Sequence, residues 1–166
     1  IMDSGAQIVF LGSGNSDLER ALKKLSSKYP NQVGVHIGYD EGLSHRIEAG
    51  IDCFLMPSRF EPCGLNQMYS MLYGTPPVVR HTGGLADSVV DATPSTLADG
   101  TATGFVFSGA NEAELLACVL RALILFQDRK AWRKIQLAGM QQDFSWHQSA
   151  EKYLSLYQSL LTLPRA

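Results

Sequence analysis

A carboxylate lies where a predicted strand ends and a predicted helix begins. Glu61 follows the short apolar run 52–56, and Gly64 separates it from apolar residues that recur at helical spacing over 65–72. The run 52–56 is typical of a buried parallel strand. The first N–H groups of a helix are unpaired and lie at the positive end of its dipole, so they favour a phosphate or diphosphate ligand. The spacing therefore predicts an anion site with an acid beside it.

A second glycine cluster, Thr82-Gly83-Gly84, follows the apolar run 76–79. Adjacent glycines allow a ligand to approach the backbone, and Thr82 adds a hydroxyl donor. Each cluster alone is also typical of a tight turn. On successive strands of one parallel sheet, the two clusters favour a ligand crevice at the carboxyl edge. Arg59 and Arg80 lie near them in sequence, and either could meet the anion or form a structural salt bridge.

Strands and helices alternate along the chain. The predicted strands are 7–11, 33–37, 52–56, 76–79 and 104–107. The main predicted helices are 17–29, 41–49, one from about 65, 111–126, 128–142 and 146–161. This alternation indicates an α/β fold with a doubly wound, Rossmann-like parallel sheet covered on both faces. The segment 91–103 lacks a period and is predicted to be a surface loop.

A further glycine pair, Gly12-Ser13-Gly14, follows the first predicted strand. A dinucleotide-binding turn needs a third glycine and an acidic residue at the end of the next strand, and both are missing here. The sequence therefore predicts only a tight strand-to-helix turn.

Composition limits the partners of the chain. Its 166 residues and 45% hydrophobic content suit one domain with one core. The net charge is −2 and the basic residues are scattered, so neither nucleic acid nor an anionic membrane surface is expected. Small molecules or neutral polymers are the expected partners.

The remaining composition favours a reducing compartment. Cys53, Cys63 and Cys118 have neither a disulfide-scaffold nor a metal-ligand spacing, and the four histidines are too dispersed for a zinc site or a catalytic triad. No disulfide and no metal are expected.

The most apolar segment, 115–126, is shorter than the roughly 20 residues of a membrane span, and the start of the chain lacks a signal-peptide pattern. We expect a soluble protein, and the chain looks like a fragment of a longer one.

The segment 58–87, together with 37–41 and 143–146, resembles the C-terminal half of bacterial glycogen synthases and plant starch synthases. These are retaining glycosyltransferases with two Rossmann domains, an architecture called GT-B. The resemblance covers almost the whole chain. Tyr69 stands where the wider class has a Glu that meets the ribose, which resembles these synthases rather than sucrose or trehalose enzymes. Asn66 departs from the Thr found in many relatives.

The resemblance implies a domain organisation and a reaction. Residues 1–145 would form the sugar-nucleotide-binding domain, and 146–166 would form a C-terminal helix that crosses back to an N-terminal domain absent from this chain. The parent enzyme would transfer glucose from ADP-glucose to the non-reducing end of an α-1,4-glucan with retention. The cationic residues that neutralise the diphosphate would lie upstream, so this chain alone is expected to be inactive.

The resemblance also implies roles for individual residues. Glu61 would contact the donor glucose and stabilise positive charge at the anomeric carbon, and Tyr39 would stack on the base. The diphosphate and sugar would be held by Cys63, Gly64, Leu65, Asn66, Gln67, Thr82, Gly83 and Gly84. Without the resemblance, Glu61 is an ordinary acid at a helix N-terminus, Tyr39 is a loop aromatic, and the glycines are turn residues.

Two alternatives remain open at this point. One is another retaining transferase of the same architecture that uses a UDP-sugar, and the other is a non-catalytic doubly wound binding module. The expected ligands are a sugar nucleotide and an α-glucan, with ADP as product and no cofactor. The expected location is the cytoplasm for a bacterial protein and the plastid for a plant protein.

Overall fold

The structure, a computed structural model, describes residues 1–161. The predicted C-terminal segment 146–166 is therefore covered only to residue 161, and 162–166 lie outside the described residues. The five strands are β1 (Ile8–Gly12), β2 (Val33–Ile37), β3 (Phe54–Met56), β4 (Pro77–Arg80) and β5 (Phe105–Phe107). The α-helices are α1 (Ser16–Lys28), α2 (Glu41–Gly50), α3 (Asn66–Leu72), α4 (Gly83–Ser88), α5 (Pro94–Asp99), α6 (Glu112–Phe126), α7 (Arg129–Met140) and α8 (Trp146–Leu161). A short 3-10 turn, Met2–Ser4, precedes them.

All strand pairs are parallel, which confirms the predicted α/β class. Hydrogen bonds divide the strands into two groups, β1 with β2 and β3-β4-β5 in that order. The two groups are joined through the helices between them. The Thr75 hydroxyl, after α3, donates to the carbonyl of Glu48 in α2 at 2.7 Å.

Side chains at the helix starts explain where four of the longer helices begin. In each case an Asn or Asp accepts hydrogen bonds from N–H groups of the first turn, which are otherwise unpaired. These capping residues are Asn15 for α1, Asp40 for α2, Asn111 for α6 and Asp128 for α7.

Fully buried side chains are concentrated in the second half of the chain. One core cluster packs β4 and β5 against α6 and α7 and includes Val78, Phe105, Trp132 and Ile135. A second cluster lies on the other face of β4 and includes Met71, Val79, Leu85 and Val89. Among residues 1–66, only Val33 and Glu48 are buried. Residues 1–66, which include β1, β2 and α1, therefore have almost no buried hydrophobic core of their own.

The prediction that 91–103 is only a surface loop is wrong in part, because it contains the helix Pro94–Asp99. The Thr93 side chain accepts from Thr96 N–H in a capping box, and Pro94 occupies the first helical position, where its missing N–H costs nothing. Gly100, with a φ of 78°, ends the helix. These capping residues are visible in the sequence, and they stabilise a helix although the segment lacks a helical pattern of apolar residues.

No helix within residues 1–161 combines the length and the apolar composition needed to cross a membrane.

Candidate functional site

Residues 57–65, which connect β3 to α3, form a loop that we call the Glu61 loop. It lies directly on the start of α4. Gly84 N–H donates to the Pro62 carbonyl at 3.2 Å. A Cβ atom on Gly83 would overlap the Glu61 carbonyl, and one on Gly84 would overlap the Cys63 carbonyl. The structure thus brings the two glycine clusters together, as the sequence predicts, and it gives the glycines a further role in close packing of backbone on backbone.

The Gln67 side chain holds this loop from inside. It is fully buried, and its Nε2 donates to the carbonyls of Cys63 at 3.2 Å and Gly64 at 3.0 Å and to Ser88 Oγ at 3.1 Å. Gly64 adopts a φ of 71°, and a Cβ there would lie 2.6 Å from Gln67 Oε1. The Gln67 side chain therefore positions the loop, and the ligand contact predicted for this residue uses its backbone N–H instead.

Arg80 holds the other end of the loop. Its Nε donates to the Ser58 carbonyl at 2.7 Å, and its Nη2 donates to the Arg59 carbonyl. Hydrogen bonds from a guanidinium to carbonyls are stronger than neutral ones. Of the two arginines noted in the sequence, Arg80 is thus bound to the backbone of the site, while Arg59 is exposed.

The Glu61 side chain is held less tightly than its backbone. The residue is half-buried, and Ser58 Oγ lies 3.4 Å from its Oε2. One long hydrogen bond leaves most of the acceptor capacity of the carboxylate available to a ligand. A fixed backbone with an available carboxylate is an arrangement suited to electrostatic stabilisation of positive charge.

Several backbone donors at the two helix starts have no partner within residues 1–161. The first hydrogen bond from the α3 region is made by Met68 N–H, which donates to the Leu65 carbonyl at 2.9 Å. The N–H groups of 64–67 make no hydrogen bond among the described residues. Gly84 N–H is bonded to Pro62, so within residues 1–161 the N–H groups of Thr82 and Gly83 are the unpaired donors of the second cluster. Thr82 precedes α4 without a side-chain capping bond.

Tyr39 stands apart from these residues. It follows β2, belongs to the other group of strands, and is 87% exposed. The adjacent Asp40 accepts from Leu43 N–H at 2.8 Å and so fixes the start of α2. Within residues 1–161 neither a hydrogen bond nor a ring contact joins Tyr39 to the Glu61 loop. The ring is nevertheless exposed beside the capped start of α2, and a stacking surface requires such exposure.

The three thiols differ in accessibility. Burial raises the pKa of Cys53 to about 12 and raises the pKa of Cys118 above its usual range. Cys63, in the Glu61 loop, is exposed. It is therefore the thiol that a modifying reagent reaches first.

Sequence reasoning missed a buried carboxylate in α2. Glu48 is 2% exposed, and its Oε2 lies 3.9 Å from His45 Nδ1 without a hydrogen bond. Burial raises the pKa of Glu48, and the nearby His45 lowers it to a smaller extent. His45 also lies 3.4 Å from the Tyr73 hydroxyl. One signal could have predicted its burial. Glu48 lies three residues after His45, on the face of α2 that meets α3.

Within the part of the chain that the structure describes, no three His, Cys, Asp or Glu side chains are grouped to hold a metal ion.

A family model and the sequences of related proteins assign this chain to the same family. The model of the family described as "Glycosyl transferases group 1" matches residues 2–138. The chain is 55% identical over 157 residues to a glycogen synthase of Thioalkalivibrio sulfidiphilus, covering 95% of this chain and 32% of that protein. It is 53% identical over 165 residues to a glycogen synthase of Nitrosospira multiformis, covering 99% of this chain and 33% of that protein. The chain spans about a third of the length of these relatives.

Solved structures show the same fold. The catalytic domain of starch synthase IV from Arabidopsis thaliana, bound to ADP and acarbose, superposes with a TM-score of 0.84 at 38% identity, over 95% of this chain and 33% of that one. Sucrose-phosphate synthase from Thermosynechococcus elongatus superposes with a TM-score of 0.64 at 21% identity, over 93% of this chain and 38% of that one. The second similarity concerns the fold alone.

Proposed function

Because this chain belongs to the group 1 glycosyl transferases, we propose that it is the donor-binding, C-terminal part of a glycogen synthase. The complete protein would transfer glucose from ADP-glucose to the non-reducing end of an α-1,4-glucan, with retention of configuration and release of ADP. The chain matches about a third of its glycogen synthase relatives, so the acceptor site would lie in the remainder. The chain alone would be inactive.

The observation that carries this proposal is the contact between the Glu61 loop and the start of α4. Gly84 N–H bonds to Pro62, and the absence of side chains at Gly83 and Gly84 permits the contact. The contact supports a crevice in which N–H groups and a carboxylate lie side by side. Such a pairing suits a sugar diphosphate, because the donors fit the phosphates and the carboxylate fits a glycosyl cation.

Each site residue has a proposed role. Glu61 would contact the donor glucose and stabilise the oxocarbenium-like transition state electrostatically. The N–H groups of 64–67 and of Gly83 would bind the diphosphate and sugar, with Thr82 adding a hydroxyl. The exposed Cys63, Leu65 and Asn66 would line the entrance. ADP-glucose is the substrate and ADP the product in this proposal, and no cofactor is required.

Helix α8 would carry the domain contact. Its exposed large apolar side chains are Trp146, Tyr153, Leu154, Leu156, Tyr157, Leu160 and Leu161. Apolar side chains clustered on one helix and exposed within residues 1–161 are typical of an interface. We propose that 1–145 is the sugar-nucleotide domain and that the helix begun at Trp146 packs on the N-terminal domain.

The proposed location is the cytoplasm. Bacterial glycogen synthases are more than 50% identical to this chain, which favours the bacterial alternative over the plastid.

Tyr39 supplies the first prediction. In the complete protein, Tyr39→Ala should weaken ADP binding by about 1–3 kcal/mol, since a stacking surface for the base is lost. Tyr39→Phe, which keeps the ring, should bind ADP almost as the unchanged protein does. Isothermal titration measures both. Equal affinities of Tyr39→Ala and Tyr39→Phe would contradict the stacking role.

The reaction itself is tested with the complete protein and a glycogen primer. Radiolabelled glucose should enter glycogen from ADP-glucose much faster than from UDP-glucose. Faster transfer from UDP-glucose would favour the rival retaining transferase, and no transfer from either donor would favour a non-catalytic module.

A further inference from the structure

The Glu48 carboxylate in α2 lacks a hydrogen bond although it is buried. The residue is 2% exposed, and its Oε2 has no hydrogen-bond partner within residues 1–161. An ionised carboxylate in such surroundings lacks the water and the donors that normally stabilise its charge. The carboxyl group is therefore costly to ionise, and its surroundings favour a bound proton.

His45, one helical turn earlier, lies against this oxygen. Its Nδ1 is 3.9 Å from Glu48 Oε2 and 3.4 Å from the Tyr73 hydroxyl of α3. The His45 ring also contacts the Tyr69 ring of α3, with centroids 6.0 Å apart. One imidazole nitrogen thus faces a carboxylate from its own helix and a phenol from the next, and both tyrosine hydroxyls of α3 belong to its titratable surroundings.

His45 and Glu48 can share one proton. Two groups this close titrate as a pair, and the last proton can reside on either of them. On Glu48 it makes the carboxyl group neutral, and on His45 it makes a cation beside the carboxylate. Burial raises the pKa of Glu48, so the proton is held to a higher pH than by an ordinary carboxyl group. Once it is lost, a buried charge is left without a cation, and stability falls as pH rises.

The pair lies where the two groups of strands are joined. The Thr75 hydroxyl donates to the carbonyls of Glu48 at 2.7 Å and Ile51 at 3.2 Å. Together with the contact between Tyr73 and His45, these bonds connect the helix that follows β2 to the segment that follows β3. No strand pairing joins the two groups within the described residues. A charge on Glu48 therefore acts on a contact that holds the groups together.

Both helices of this contact begin at the candidate site. Tyr39 immediately precedes Asp40, the capping residue of α2, and the Glu61 loop leads into α3. Packed helices slide past one another as rigid bodies. A shift of α2 against α3 therefore changes the distance between Tyr39 and the Glu61 loop, and a ligand that touches both is sensitive to the shift.

We propose that His45 and Glu48 are positioning residues that couple a protonation at the α2–α3 contact to nucleotide binding. While the pair holds a proton, the two helices stay packed, and Tyr39 and the Glu61 loop are placed for one ligand. Loss of that proton loosens the contact and weakens binding. This inference rests on the proposed function, because it takes Tyr39 and the Glu61 loop as the two sides of the nucleotide site.

Isothermal titration of the complete protein with ADP, from about pH 5 to pH 9, tests this coupling. The dissociation constant should rise with pH by at least about fivefold more in the unchanged protein than in Glu48→Gln, which cannot acquire the charge. Ionisation of ADP itself affects both proteins equally. Glu112→Gln, at an exposed position on α6, is the control and should keep the pH dependence of the unchanged protein. Parallel curves for the unchanged protein and Glu48→Gln would overturn the proposal.

His45→Gln tests the shared proton. Without the imidazole, Glu48 alone can hold the proton, so ADP affinity should begin to fall at a lower pH than in the unchanged protein. A residue that only fills space would act differently, because its loss weakens binding by the same factor at every pH. Such a uniform loss in His45→Gln would contradict the proposal.

Hydrogen exchange of the complete protein without ligand separates this inference from the proposed function. Absence of ADP binding at every pH would contradict the proposed function, and exchange would still test the pH coupling. After correction for the intrinsic effect of pH, protection of the amides 44–51 should fall with rising pH in the unchanged protein and stay constant in Glu48→Gln. The same pH dependence of protection in both proteins would overturn the coupling itself.

Discussion

The glycine segments 12–14, at the end of β1, and 82–84, at the start of α4, both lie where a strand connects to a helix, yet they differ in what surrounds them. Among residues 1–161, a Cβ atom on Gly12 or Gly14 would meet nothing within 4 Å, whereas one on Gly83 or Gly84 would overlap the backbone of the Glu61 loop. In the part of the chain that the structure describes, the first glycines therefore lie beside free space, and the second pair packs against the Glu61 loop. Paired glycines thus indicate close packing of backbone on backbone only where a second segment of the chain lies against them.

The largest expected effect separates these two turns directly. Gly84→Ala in the complete protein should lower the free energy of unfolding by about 3 kcal/mol, because the added Cβ forces the Cys63 backbone away. Gly14→Ala is a matched control, since neither glycine has a φ in the left-handed region. It should change stability by only about 0.5 kcal/mol. Thermal and denaturant unfolding measure both variants, and equal effects would show that close packing does not distinguish the turns.

A smaller effect is expected from the side chain that holds the Glu61 loop from β4. Arg80→Met should cost about 2 kcal/mol, since the carbonyls of Ser58 and Arg59 lose a charged donor. Arg133→Met, at an exposed position on α7, is the control and should be nearly neutral. If both variants unfold at the same denaturant concentration, Arg80 does not hold the loop.

The smallest expected effect on stability concerns Glu48 in α2, which lies among residues 1–66, where few side chains are buried. Burial raises the pKa of Glu48, so the unfolded chain releases this proton at a lower pH than the folded protein does. Stability contributed by the protonated group is therefore complete below the ordinary carboxyl pKa and is lost as pH rises through the folded pKa. Glu48→Gln should be more thermostable than the unchanged protein at neutral pH.

The gain from Glu48→Gln should disappear below about pH 4, where carboxyl groups are protonated in both states. Glu41→Gln, at an exposed position of the same helix, should show no comparable gain. Melting temperatures across pH measure both variants. A Glu48→Gln gain that grows as pH falls would reverse the assigned direction of the pKa shift.

The sequence predicts the order and type of nearly all elements, because apolar periodicity and capping residues are local signals. It misses α5, whose capping box outweighs an aperiodic composition. It also predicts one sheet, whereas hydrogen bonds divide the strands into two groups, because strand pairing depends on tertiary contacts that local signals do not carry.

The candidate site was predictable to a similar extent. Glu61 and both glycine clusters carry recognisable spacing, and the structure brings them together. The buried role of the Gln67 side chain and the bonds from Arg80 were not predictable, because both depend on which carbonyls the folded loop turns inward.

We propose that the Glu61 loop positions the Glu61 carboxylate so that its negative charge stabilises the transition state. Glu61→Gln in the complete enzyme tests this role most directly. This variant keeps the shape and removes the charge. We expect turnover with ADP-glucose to fall by roughly 100-fold or more, with apparent donor affinity and melting temperature little changed. An acid that only favours a helix start is worth about 0.3–1 kcal/mol of stability. Near-unchanged turnover with a lowered melting temperature would therefore contradict the claim.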